Sequence, residues 1–281
     1  MHWYKAKNIL IMLFLIINIF LIYMLFATNH KNAKIPDSVI DNTLLLLNGK
    51  NIEADKKIIP EKDVTVACYE MKSAIMDKDE FSGMILGAVR GAKDGSVNIS
   101  FGKNTFNIEA MPGYRPFGRI NAKNHKKTIE EILNNLNFPK SNFIIKSEKQ
   151  LNGRYEIVVC QEYGGIPLFG GELKIIFNEE GLINISGNWF YNITDRQQTN
   201  NTDIISTLLD FAVDTRAGGG RKIKNIYLTQ YINSPNIDQE YQTISSISSI
   251  PAYCIETEGA GSFIFDARAG ILPEARYLEK V

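Results

Sequence analysis

Three histidines and three cysteines are the chain's whole stock of imidazole and thiol. Nucleophilic catalysis needs a nucleophile with a base in hydrogen-bond reach. His2 and His30 flank an apolar amino-terminal run, so a Ser-His-Asp or Cys-His device would have to use His125. His125 opens a helix-like stretch, where a solvated side chain is the plainer reading. No His or Cys spacing suits a zinc site, and no G-x-S-x-G occurs. Cys68, Cys160 and Cys254 each fall in a strand pattern and read as small apolar core residues, with a Cys160–Cys254 bridge left open. The Gly218-Gly219-Gly220 run follows a helix instead of opening one, so it reads as a turn and not a phosphate loop. Glu156 and Glu162, like Glu256 and Glu258, alternate along strands and read as a wet sheet face more readily than an acid/base pair. No catalytic residue, metal or cofactor is expected.

Charge narrows the partners. Lys+Arg and Asp+Glu are 31 each over 281 residues, a formal net charge of zero. Residues 1–35 carry Lys5, Lys7, Lys31 and Lys34 and no acid, which leaves 27 bases against 31 acids in 36–281. That balance provides no basic stripe, so no nucleic-acid partner is expected.

Residues 9–27 read ILIMLFLIINIFLIYMLFA and carry no charge. Nineteen helical residues extend roughly 28 Å, about the thickness of a bilayer's hydrocarbon core. A cleaved signal peptide would have a shorter run and a small-x-small site, and Leu25 before Ala27 spoils that site. The run therefore predicts an uncleaved transmembrane helix. The short tail before it predicts a single-pass protein of the cell membrane, with a cytoplasmic amino terminus and an extracellular carboxy-terminal domain. Asn18 falls on one seven-residue-repeat face with Ile11, Phe14, Leu21 and Leu25. Two readings stand: a partner-binding face whose polar residue sets register, or one tolerated amide in a strong span.

The remainder alternates helix-like and strand-like stretches. The expected layout is a tail (1–8), the span (9–27), a linker (28–35) and three α+β units, 36–118, 119–195 and 196–281. In the first, a helix capped by Asp37 and ended by Gly49 precedes strands near 64–71, 83–89, 96–101 and 105–110. In the second, Ile129, Ile132, Leu133 and Leu136 give a helix near 124–136, followed by four strands across 142–193. There Leu173, Ile175 and Phe177 alternate, which implies one buried and one wet face. In the third, a helix near 202–214 precedes strands near 223–232, 252–258, 261–267 and 274–279. The short connections predict antiparallel pairing. The expected class is α+β: a single amino-terminal transmembrane helix, then an exported domain of repeated helix-plus-antiparallel-sheet units.

A resemblance adds to this. The start, Met1-His2-Trp3-Tyr4-Lys5-Ala6-Lys7-Asn8-Ile9, with Phe14-Leu15-Ile16-Ile17-Asn18-Ile19-Phe20-Leu21, resembles the amino terminus of the YycI family. These are membrane-anchored regulators of the YycFG (WalRK) two-component system. Two further stretches are similar to that family and to YycH and PepSY-like folds. They are Tyr163 to Asn178 with Gly181, Ile183 and Trp189, and Pro251 to Gly270 with its Asp266-Ala267-x-x-Gly270 ending. The family carries no catalytic residues. The resemblance implies a regulator that binds and tunes the sensor histidine kinase of a cell-wall two-component system, with a YycH-like partner, and admits a homo- or heterodimer. The alternative is a PepSY-like inhibitor or an envelope scaffold without kinase contact.

Overall fold

The computed structural model describes residues 7–8, 11–20, 34–75, 78–89, 97–103, 105–111, 113–114, 120, 124–214, 221–232 and 246–280. Two helices with one apolar stripe each organise the two main cores. Helix α3 (His125–Asn135) begins where the Asn124 side chain accepts from the Lys127 amide, at 3.1 Å. Its Ile129, Ile132 and Leu133 lie at helical spacing and are buried against Ile157, Val159, Leu173, Ile175 and Phe177. Helix α4 (Ile204–Val213) is capped in the same way by Asp203, whose carboxylate accepts from the Ser206 amide at 2.9 Å. It buries Ile204, Leu208 and Phe211 against Ile255, Phe263 and Phe265. Helix α1 (Asp37–Gly49) adds Ile40 and Leu47 to the second core, and α2 (Lys78–Ala88) adds Phe81 and Ile85 to the first. Pro36, not Asp37, holds the cap position of α1, with no side-chain cap.

Under α3 run β5 (Asn142–Leu151), β6 (Arg154–Tyr163), β7 (Ile166–Asn178) and β8 (Gly181–Gly187), each antiparallel to the next. A hairpin of β3 (Val97–Phe101) and β4 (Phe106–Ala110) extends β8. Under α4 run β10 (Arg221–Ile232), β11 (Ile247–Thr257), β12 (Gly261–Asp266) and, after the short α5 (Pro273–Arg276), β13 (Tyr277–Lys280). Strand β1 (Ile52–Glu53) lies parallel to β10, while β2 (Thr65–Ser73) pairs with β11 and with β9 (Phe190–Asn201).

Strand β7 joins the halves. Leu168 and Phe169 pair in parallel with Gln230 and Tyr231 of β10. At Gly170 the backbone turns with φ +88°, and from Leu173 onward the strand pairs with β8. Among the described residues one connected network of 13 strands results. Buried amides tie its centre. Gln161 donates to the Phe190 carbonyl at 2.7 Å and accepts from the Phe190 amide at 2.9 Å, as a backbone neighbour would. Gln230 donates to the Ala67 carbonyl at 2.9 Å and accepts from the Ser249 hydroxyl at 2.7 Å. Arg276, 2% exposed, closes the carboxy-terminal end, donating to the carbonyls of Asp266 and Arg268 at 2.9 and 3.0 Å.

Several expectations need correction. Among the described residues no helix is long and apolar enough to cross a membrane. This overturns the transmembrane helix over 9–27. With it go the single-pass cell-membrane placement and its cytoplasmic and extracellular sides. Residues 9–10 and 21–27 of that run lie outside the described residues. The α+β class is corrected as well: among the described residues the architecture is predominantly β-sheet. Of the strand expected at 83–89, residues 83–88 belong to α2. There Asp79 and Glu80 favour a helix amino terminus, and Phe81 and Ile85, four apart, bury one stripe.

Gly187 pairs with Phe106 of β4 and with Leu173 of β7. It has φ +141°, and a Cβ there would lie 2.0 Å from the Glu172 carbonyl oxygen. Gly187→Ala should therefore lower stability by about 2–4 kcal/mol in urea unfolding. Gly83→Ala in α2 has open space around it and should be neutral or stabilising by up to about 1 kcal/mol.

Candidate functional site

Along β5–β8 the side chains alternate between the α3 core and the opposite face. Leu173, Ile175 and Phe177 point to the helix, so Glu172, Lys174 and Ile176 point away. The opposite face of the β10–β13 sheet carries Ala252, Cys254 and Ile264, with Phe169, Tyr227, Tyr231 and Leu278 packed on them. Ala252, Cys254 and Ile264 are fully buried, and of the side chains packed on them Phe169 and Tyr231 reach the cleft. At the β7–β10 join side chains of both sheets border a cleft of about 710 Å³. That is the range of ligand-sized sites.

Each half contributes different chemistry. On the β5–β8 side, Lys146 Nζ lies 2.5 Å from Glu172, and Lys174 Nζ lies 2.9 Å from Glu156. These pairs are half-exposed and contribute at most about 1 kcal/mol each to stability. Burial works to lower the Lys146 pKa, but the hydrogen bond and charge of Glu172 outweigh it and hold the ammonium above its ordinary value. At the join, Phe169 and Tyr231 are register partners whose rings stack at 5.7 Å and 27°. Beyond Tyr231 lies Glu279 of β13. Burial first, then the Glu279 carboxylate, raises the Tyr231 hydroxyl pKa. Ile75, Phe190, Ile232 and Ile247 supply apolar lining, and Ser73, Ser186 and Asn188 supply polar lining.

The cysteines are buried and no disulfide joins them. Burial pushes the Cys160 thiol up to about 11 and also raises Cys254. Thiols held protonated in this way are poor nucleophiles. His125 Nδ1 lies 2.9 Å from Glu148, with its ring against Tyr155 and Phe177. Among the described residues no three His, Cys, Asp or Glu side chains form a metal-holding group.

The residues expected to form a partner-binding face are placed as follows. Ile11 and Phe14 are exposed at 53% and 69%. The Asn18 amide donates to the Phe14 carbonyl of its own helix at 2.8 Å. Leu21 and Leu25 lie outside the described residues. The cleft residues Phe169, Tyr231 and Glu279 were not singled out from sequence. Alternation along 173–177 marks a second face of β7, but nothing local says which other sheet that face would border.

No family model matches the chain, and no curated protein does. Among solved structures it is similar to the Bacillus megaterium YpeB C-terminal domain, at 9% sequence identity and a TM-score of 0.33, over 72% of this chain and 98% of that one. That is a distant structural neighbour, and no fold or function is carried across from it.

The Cys160 thiol yields a pH prediction. In the folded chain it stays protonated to about 11, against an ordinary value of 9.0. Between those values the unfolded chain loses a proton that the folded chain keeps, so stability falls as pH rises. The loss attributable to this group is on the order of 2 kcal/mol. Denaturant unfolding of Cys160→Ala at pH 8 to 11 should show a correspondingly shallower alkaline decline. An unchanged slope would mean that the thiol is not desolvated as described.

Proposed function

We propose that the chain is a non-catalytic regulatory binding protein of the YycI type. In this reading it tunes a sensor histidine kinase of the YycFG (WalRK) type, together with a YycH-like protein. The observation that supports this most is the cleft. It is bordered by two sheets and lined by the apolar Ile75, Ile232 and Ile247, by Glu172 and Lys174 from the two ion pairs, and by the stacked Phe169–Tyr231 pair. Such a surface can hold a partner segment without any bond being made or broken. The amino-terminal and sheet motifs quoted above support the choice of partner.

Regulation by binding needs only differential affinity. A sensor kinase switches between states, and a protein that prefers one state shifts its population. A preference of about 1–3 kcal/mol changes the equilibrium roughly 5–150-fold.

The test is the autophosphorylation rate of the purified kinase in lipid nanodiscs, with the full chain and a YycH-like protein added singly and together. The rate should change by about 5-fold or more, in either direction, when the chain is present at saturation. A rate unaltered by saturating chain, with or without the YycH-like protein, would contradict the proposal.

A further inference from the structure

Among the described residues, one charge that lines the cleft has no counter-charge in ion-pair distance. Lys146 is matched by Glu172 and Lys174 by Glu156, both within ion-pair distance. Glu279 lines the same cleft as Phe169 and Tyr231. Among the described residues no lysine, arginine or histidine forms an ion pair with Glu279. Its neighbour Lys280 is not available for that role: it lies on the other side of β13, with Nζ 5.4 Å from the centre of the Phe263 ring in the α4 core.

We infer that the cleft receives a lysine or arginine side chain from an extended segment of a partner protein, with Glu279 and the Phe169–Tyr231 pair as its receptor. A carboxylate beside aromatic rings is a cation site, since the ring quadrupole and the anion attract the same charge. An anionic ligand would be repelled by Glu279. A purely apolar one would bury that carboxylate without a counter-charge, which is costly. The apolar side chains Ile75, Ile232 and Ile247 border the same cleft and fit apolar residues flanking the cation. Its volume of about 710 Å³ exceeds what one basic side chain fills. The excess of acids over bases in residues 36–281 also favours encounter with a basic segment. This inference deepens the binding reading above and rests on it.

The probe is the peptide acetyl-Ile-Lys-Ile-Phe-amide, compared with versions carrying norleucine or glutamate in place of lysine. Binding to the full chain is read by calorimetry and by shifts of Tyr231 side-chain NMR signals. The lysine peptide should bind about 5–30-fold more tightly than the norleucine peptide, and the glutamate peptide more weakly still. Glu279→Gln, on an exposed edge-strand residue, should remove most of that lysine advantage while leaving thermal unfolding and the norleucine affinity unchanged. Equal affinity for the three peptides would overturn the inference. So would no binding at millimolar peptide, or butylammonium binding as tightly as the lysine peptide. The kinase assay is read separately: lysine-selective binding without any effect on the kinase would refute the kinase reading and keep the cation site.

Discussion

Strand β7 must satisfy two neighbours along one edge, and the rest of the molecule follows from how it does so. Its first residues bond to β10 and its last to β8. A buried backbone group left without a partner costs about 1–3 kcal/mol, so the edge cannot simply be left open between them. Gly170 makes the turn with a positive φ that other residues avoid. Where the ladder is interrupted, side chains take the place of backbone. The Gln161 amide pairs with both polar groups of Phe190, and Thr229 donates to the Pro167 carbonyl at 2.8 Å. Two sheets, each with its own helix, thereby become one network, and side chains of both are brought to a common cleft.

That arrangement explains which parts of the chain were legible in advance. Helices α3 and α4 are short-range objects. The spacing of Ile129, Ile132 and Leu133 is enough to place α3, and a polar cap starts each helix. The alternation of Leu173, Ile175 and Phe177 identifies a strand with two unlike faces. The stretch 83–89 misleads because its apolar residues and two glycines fit a short strand as well as a helix. The acids that settle the matter stand upstream, at 79 and 80. The apolar run at 9–27 is a different case: hydropathy registers composition, and the described residues hold no helix long and apolar enough to cross a membrane.

The long-range features leave little local trace. Four residues, 168–169 and 230–231, make the β7–β10 join, and no periodicity announces it. Gln161 and Gln230 read as ordinary polar strand residues, yet both are fully buried. Arg276 lies in a stretch that reads as an edge strand, and it is buried through carbonyl contacts to residues eight and ten positions earlier. The cleft depends on all of these. Phe169 and Tyr231 become an aromatic pair only because the join sets them side by side, and Glu279 reaches them only because β13 completes the second sheet. The cleft is therefore a property of how the sheets are assembled, not of any one motif.

The central claim is that the join makes both sheets one cooperative body around the cleft. Native-state hydrogen exchange across a denaturant series tests it most directly, through the amides of Ile157 and Ile175 in one sheet and Ile255 and Phe263 in the other. If the sheets open together, the four amides converge on one opening isotherm with a common free energy and slope. Two separate isotherms, with one sheet exchanging while the other stays protected, would contradict the account.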